Sequence, residues 1–102
     1  MIRHCVFIRF KPGFGAGERA AIYRDLAGLR AKLPGMGKLV AGPNVSPEGL
    51  GQGFDDGLSI DFDTAATRDA YLVDPDHQLI GARLVAAAEG GITGILVFDF
   101  EL

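Results

Sequence analysis

Two side chains that exchange protons, Tyr71 and His77, lie close together in the segment AYLVDPDHQLIG, residues 70–81. An imidazole can accept a proton near neutral pH, and a phenol can donate a hydrogen bond to a carbonyl or enolate oxygen. Facing one apolar cavity, they could support acid–base chemistry without a metal or a cofactor. The same pair also suits a structural role, because core histidines often donate to backbone carbonyls and helical tyrosines often only pack. Spacing alone leaves both interpretations open.

The Asp-Pro pair between them predicts the start of a helix. Asp74 is a good N-cap residue, and Pro75 suits the first helical position because its missing N–H would be unpaired there anyway. His77 then falls in the first turn and shares a stripe with Ile80 and Leu84, so we expect it to face the sheet. The helix dipole and the apolar setting both disfavour imidazolium, which predicts a pKa below the unperturbed value of about 6.5.

The only other histidine, His4, lies in the strand pattern that opens the chain. The residues that share its alternating face are all apolar, namely Ile2, Val6, Ile8 and Phe10. If helices cover this face, His4 and His77 point into the same layer. We therefore predict a site in which His77 removes a proton next to a carbonyl, Tyr71 stabilises the enolate, and His4 orients or relays.

Hydrophobic periodicity predicts the elements that must position these residues. Strands are expected at residues 2–10, 38–42, 58–62 and 92–102. Helices are expected at 18–33 and, split at the Asp-Pro pair, at about 64–73 and 75–89. The order βαββαβ is that of a ferredoxin-like α+β fold, in which helices cover one face of an antiparallel sheet. The Gly- and Pro-rich connection at 43–57 is either a lid or an irregular solvated loop.

The sheet face away from the helices is also predicted to be apolar. Alternation assigns to it Cys5, Phe7, Leu96, Phe98 and Phe100. In a single chain this apolar face would stay in contact with water. Packing against the same face of a second copy by two-fold symmetry would cover it. We therefore expect a homodimer that forms through the sheet face.

Length and composition limit the class of protein. The 102 residues predict one domain over 1–102, and a net charge of −3 with scattered basic residues argues against nucleic-acid binding. The single cysteine, Cys5, excludes an intrachain disulfide, and no CxxC or HExxH motif supports a metal site. There is no signal-peptide pattern and no apolar run near the ~20 residues of a membrane span. We expect a cytoplasmic protein without a membrane partner.

Five short stretches together resemble the stress-responsive A/B barrel (Dabb) domain, a family of dimeric α/β-barrel proteins. They are IRHCVFIRFK, LPGM, GPNVSPE, YLVDPDHQLI and ILVFDFE, and the resemblance covers nearly the whole chain. The resemblance implies the ferredoxin-like fold and a homodimer in which two sheets meet to form the barrel.

One branch of that family, the olivetolic acid cyclase-like polyketide cyclases, closes polyketide chains by aldol condensation. The resemblance places the base at His77 and the assisting tyrosine at Tyr71, and it matches a further histidine to His4. It places Leu26 where those cyclases have a second pocket tyrosine. We therefore predict His77, Tyr71 and His4 as catalytic residues. The predicted pocket lining is Ile2, Val6, Leu26, Ile80 and Leu84.

Two classes of function follow from these observations. The first is an enzyme without cofactor or metal that acts on a small apolar carbonyl or polyketide-like compound by acid–base chemistry of the cyclase or lyase type. The second is a non-catalytic barrel, either a ligand-binding or a stress-associated protein, in which the same residues only shape the pocket. A weaker third class, a cofactor-free monooxygenase, depends only on analogy with similar folds.

Overall fold

The structure, a computed structural model, describes residues 1–102 and has four strands and three helices. The strands are β1 (Ile2–Ile8), β2 (Val40–Pro43), β3 (Asp56–Phe62) and β4 (Ile95–Glu101). The helices are α1 (Ala16–Gly28), α2 (Ala65–Val73) and α3 (Pro75–Ala87). The strands form one antiparallel sheet in the order β2-β3-β1-β4. The predicted ferredoxin-like α+β fold, with its second helix split, is confirmed.

Several element boundaries differ from the sequence prediction. Strand β4 begins three residues later than expected, because Gly91–Gly94 form a turn of 3₁₀ helix. Strand β1 ends at Ile8, and Phe10 makes only an isolated bridge to Ala88. Strand β3 begins at Asp56, two residues earlier than expected, because Asp56 still pairs with Ile8 of β1 and Pro43 of β2.

The core lies between the helices and the inner face of β1 and β3. Alternate residues of these two strands are buried, and α1 adds Ile22 and Leu26 to the same cluster. The inner side of the edge strand β4 is less well covered, and the side chain of Val97 there is 57% exposed. This incomplete cover leaves room for a cavity beside β4.

Two capping side chains fix the ends of α2 and α3. The hydroxyl of Thr64 accepts a hydrogen bond from the backbone N–H of Thr67 at the start of α2. The carboxylate of Asp74 accepts from the backbone N–H groups of Asp76 and His77, and Pro75 is the first residue of α3. The predicted helix start at the Asp-Pro pair is confirmed. None of the helices is long and apolar enough to cross a membrane.

A buried carboxylate joins α1 to the start of β3. Asp56 is only 5% exposed and accepts hydrogen bonds from the hydroxyl of Tyr23 (2.5 Å) and the guanidinium of Arg19 (3.2 Å). Burial, followed by the hydrogen bond to Asp56, raises the pKa of Tyr23 far above its ordinary value, so this phenol stays a donor. The pair therefore ties the end of the 44–55 loop to a helix.

Replacing Tyr23 with phenylalanine is expected to lower the free energy of unfolding by about 1–3 kcal/mol, because a buried carboxylate loses one of its two donors. Urea denaturation of wild type and Tyr23→Phe measures this change. A double-mutant cycle with Asp56→Asn isolates the coupling between the two side chains. A change within about 0.5 kcal/mol, the range typical of surface substitutions, would show that the contact contributes little.

Candidate active site

A cavity of about 480 Å³ opens between α2, α3 and the inner side of β1 and β4. Its lining combines a larger apolar set with five polar or charged residues. The apolar lining is Val6, Leu72, Leu84, Val85, Ile92, Ile95 and Val97, together with Gly81. The polar and charged lining is His4, Arg68, Asp69, His77 and Asp99. Both histidines of the chain therefore face one space, as the sequence analysis expected.

His4 is held by a carboxylate on the neighbouring strand. The strand register places His4 directly beside Asp99, and the Nδ1 of His4 lies 2.7 Å from the Oδ1 of Asp99. Arg68 donates to the other oxygen of Asp99 at 2.7 Å. Although burial opposes it, hydrogen bonds from Arg68 and His4 hold the pKa of Asp99 below its ordinary value. Asp99 is therefore a carboxylate that only accepts, so the Nδ1 of His4 donates and Nε2 is the remaining ring nitrogen.

His77 has a similar arrangement on α3. Its backbone N–H is capped by Asp74, and its Nδ1 lies 3.3 Å from the carbonyl oxygen of Leu72. A carbonyl can only accept, so the proton of the neutral ring lies on Nδ1 and Nε2 keeps its lone pair. Burial lowers the pKa of His77 below its ordinary value of 6.5 and outweighs the opposing effect of the hydrogen bond to Leu72. The ring is therefore neutral near pH 7, the form that accepts a proton.

Tyr71 packs between the two histidines. Its ring centroid lies 4.2 Å from that of His77 and 5.9 Å from that of His4. The residue is 1% exposed, and burial raises the pKa of its phenol far above its ordinary value. Burial is the only cause of this shift, since no side-chain hydrogen bond to the phenol contributes to it. The phenol is therefore protonated, but Tyr71 is not among the residues that line the cavity and packs directly against His77, which does line it.

The five residues predicted to line the pocket fall into two groups in the structure. Val6 and Leu84 line the cavity with His4 and His77. Ile2, Leu26 and Ile80, which were predicted to line it, instead lie among the fully packed side chains of the core. They are on the inner side of their elements, as their periodicity requires, but they pack against other side chains of the core.

Two charged residues of the site, Asp99 and Arg68, were missed. The signal for Asp99 is present in the sequence, because alternation puts this carboxylate on the same face of β4 as Ile95 and Val97. A carboxylate side chain on an otherwise apolar strand face is usually paired with a hydrogen-bond donor or a positive charge. Strand pairing, which the sequence does not give directly, decides that this partner is His4.

The lowered pKa of His77 predicts how stability depends on pH. The imidazole of His77 binds a proton less tightly in the folded protein than in the unfolded chain. The contribution of His77 to the free energy of unfolding is therefore complete above about pH 6.5, and it is lost as the pH falls below that value. We therefore expect the free energy of unfolding to decrease from about pH 7 toward pH 5, and less steeply in His77→Gln. An NMR titration of the imidazole is expected to give a midpoint below 6.5 for His77. A midpoint at or above 6.5 would contradict the burial of this ring.

The sequence profile of the family described as "Stress responsive A/B Barrel Domain" matches residues 2–102. No curated protein sequence matches the chain. Among solved structures, it is similar to a dimeric ferredoxin-like protein of unknown function from Jannaschia sp. CCS1. The two chains are 33% identical with a TM-score of 0.91, and the match covers 99% of this chain and 98% of the other.

Two more distant structures share the fold. A hydroxynitrile lyase from Passiflora edulis is 22% identical, with a TM-score of 0.83 and coverage of 99% of this chain and 92% of the lyase. A Dabb family protein from Mesorhizobium loti is also 22% identical, with a TM-score of 0.74 and coverage of 99% and 95%. At this identity the similarity shows the fold alone.

Proposed function

We propose that this chain, which belongs to the stress responsive A/B barrel domain family, is an enzyme that abstracts a proton next to the carbonyl of a small apolar compound. One observation carries the proposal. Two imidazoles face a single cavity, and each ring has its Nδ1 engaged by an acceptor, Asp99 for His4 and the Leu72 carbonyl for His77. Each ring therefore presents Nε2 to the cavity side without a partner in the chain, and the neutral ring of His77 can use this nitrogen as a general base.

The proposed step uses the three residues in different roles. The Nε2 of His77 accepts a proton from the carbon next to the substrate carbonyl. The electron pair of the broken C–H bond forms the C=C bond of the enolate, and the π pair of the carbonyl moves onto its oxygen. Tyr71, whose ring packs 4.2 Å from that of His77 just outside the cavity lining, is assigned the role of donating a hydrogen bond to that oxygen as its negative charge develops. His4, held by Asp99, orients the substrate or carries the proton away. The enolate then takes a proton back, or attacks a second carbonyl of the same chain in an aldol closure.

The charges in the cavity favour an uncharged substrate. The only cation in its lining, Arg68, is already paired with Asp69 and Asp99 at 2.8 and 2.7 Å. A carboxylate substrate would have to compete with these two acceptors. The remaining lining is largely apolar, which suits a neutral ketone or a polyketide-like chain. The fold also accommodates lyase chemistry, since the neighbour from Passiflora edulis is a hydroxynitrile lyase.

We also propose that the chain is a homodimer formed through the outer face of the sheet. That face exposes large apolar side chains on β1 and β4, with Phe98 53% and Phe100 52% exposed. An apolar surface of this kind is costly to leave in water. The similar protein from Jannaschia, which is 33% identical, is described as dimeric.

Deuterium exchange tests the catalytic proposal without knowledge of the natural substrate. An aliphatic ketone of medium chain length is incubated in D₂O with wild-type protein, and incorporation at the carbons next to the carbonyl is followed by NMR. We expect exchange above the buffer rate that saturates with ketone concentration, and a large loss in Tyr71→Phe. Saturable binding of the ketone with no added exchange would instead favour the non-catalytic ligand-binding barrel.

A further inference from the structure

Helix α3 has a glycine at its centre, because Gly81 is the seventh of its 13 residues. Glycine is the least favourable residue inside a helix after proline, since it loses the most backbone freedom on folding. The other helical glycines of the chain, Gly17 and Gly28, lie near the two ends of α1. Helix formation therefore does not explain the glycine at position 81.

Neither backbone conformation nor close packing explains Gly81. Its backbone is ordinary α-helix, and it is not one of the glycines with a positive φ. A Cβ added at Gly81 would meet no atom within 4 Å apart from the backbone of its own helix. A Cβ added at Gly94, by contrast, would collide with the backbone of Glu89. The folded chain therefore has room for a side chain at position 81.

The space beside Gly81 belongs to the cavity of the candidate active site. The residues of α3 that line this cavity are His77, Gly81, Leu84 and Val85. At about 100° per residue these four positions form one stripe of the helix, so a side chain at position 81 would point into the same space. The missing side chain of Gly81 therefore enlarges the cavity.

The position of Gly81 along α3 decides which part of a bound compound would occupy the added volume. Gly81 lies one helical turn beyond His77, about 6 Å along the helix axis. Beyond Gly81, α3 contributes only the apolar side chains of Leu84 and Val85 to the lining. The added volume therefore lies between the imidazole and an apolar region of the cavity.

We infer that Gly81 determines which ketones the site accepts, by leaving room for an unbranched alkyl chain that runs from the carbonyl at His77 along α3 toward Val85. This inference rests on the function proposed above and specifies its substrate class, a ketone with an apolar chain of medium length. A side chain at position 81 would meet the alkyl chain about 6 Å from the carbonyl. Short ketones end before that point, so a larger residue at position 81 excludes only the longer ones.

Two ketones of different length test this role of Gly81. Binding of 2-butanone and of 2-nonanone to wild type and Gly81→Val is titrated by NMR, and deuterium exchange is followed in the same samples. Gly81→Val is expected to raise the Kd of 2-nonanone roughly 10- to 100-fold, because the added methyl groups occupy space that the alkyl chain needs. The Kd and the exchange rate of 2-butanone should stay within a few-fold of wild type, since the side chains of the proposed mechanism are unaltered.

Gly17→Val is the matched control for the binding experiment. Gly17 is exposed on α1, does not line the cavity, and a Cβ added there would meet no atom within 4 Å. This variant should bind both ketones like wild type, and circular dichroism confirms that each variant is folded. Gly81→Ala adds a second measurement, since alanine favours the helix and is expected to raise the Tm by a few degrees at equal protein concentration. A lower Tm would show that the fold requires this glycine and would overturn the inference.

The outcomes separate the role of Gly81 from the catalytic proposal. Equal binding of 2-nonanone by wild type and Gly81→Val, or equal weakening of both ketones, would overturn the role of Gly81 and leave catalysis standing. Weaker binding of 2-nonanone alone, without deuterium exchange in wild type, would overturn catalysis and support the role of Gly81. A wild-type protein that binds neither ketone would overturn both.

Discussion

Replacing His77 with glutamine is expected to slow deuterium exchange into an apolar ketone by about 10²- to 10⁴-fold, the usual contribution of a general base. Glutamine keeps a polar side chain of similar length, but its amide cannot accept a proton at neutral pH. Affinity for the ketone is expected to change only a few-fold, because most of the cavity lining is apolar and unaltered. NMR exchange rates and a binding titration on the same variant measure both quantities.

Gln78→Ala is the matched control for this substitution, since Gln78 is the next residue on α3 and is exposed. Its exchange rate should equal that of wild type. Exchange by His77→Gln at the wild-type rate would remove His77 from the mechanism and would leave His4 as the remaining imidazole of the cavity. If His77→Gln lost both ketone binding and deuterium exchange, His77 would shape the pocket, as the non-catalytic alternative requires.

Truncating Phe62 to alanine is expected to cost about 3–5 kcal/mol of folding free energy, the largest stability effect of any single side chain discussed above. Phe62 is fully buried on β3, and its ring centroid lies 5.1 Å from that of Tyr71 and 6.2 Å from that of His4. The cavity left behind would lie directly under the site. For a domain of this size, each kcal/mol corresponds to roughly 4–8 °C in Tm.

Thermal and urea denaturation of Phe62→Ala at the protein concentration used for wild type measure this loss, since the Tm of a dimer depends on concentration. Leu79→Ala is the control, because Leu79 is 68% exposed on α3 and its truncation should change stability by no more than about 0.5 kcal/mol. A loss of folding free energy below about 1 kcal/mol for Phe62→Ala would contradict the close packing of Phe62 against Tyr71 and His4. A surviving fold with reduced exchange would show that Phe62 also positions Tyr71.

The order of helices and strands could be predicted from the sequence because the capping residues and the hydrophobic periodicity indicate the same elements. Alternation in β1 and β3 put the correct residues on the inner face, and the Asp74-Pro75 pair marked the start of α3 with its cap. The outer apolar face was visible in the same alternation, and the exposed Phe98 and Phe100 now carry the homodimer proposal.

The rest of the site depends on strand order and register, which periodicity does not contain. Asp99 is 95 positions from His4 along the chain, and only the pairing of β1 with β4 makes them neighbours. The cavity follows from the incomplete cover of β4, so Leu26 and Ile80, which have the right period, still lie in the core.

The most direct test of the catalytic account is the protonation state of the His77 ring, read by long-range ¹H–¹⁵N correlation NMR near neutral pH. We predict a neutral ring with the proton on Nδ1, donated to the Leu72 carbonyl, and with Nε2 unprotonated. Added ketone should perturb Nε2 and leave Nδ1 unchanged. A ring protonated on Nε2, or on both nitrogens, would contradict the account, because His77 would then have no lone pair with which to accept a substrate proton.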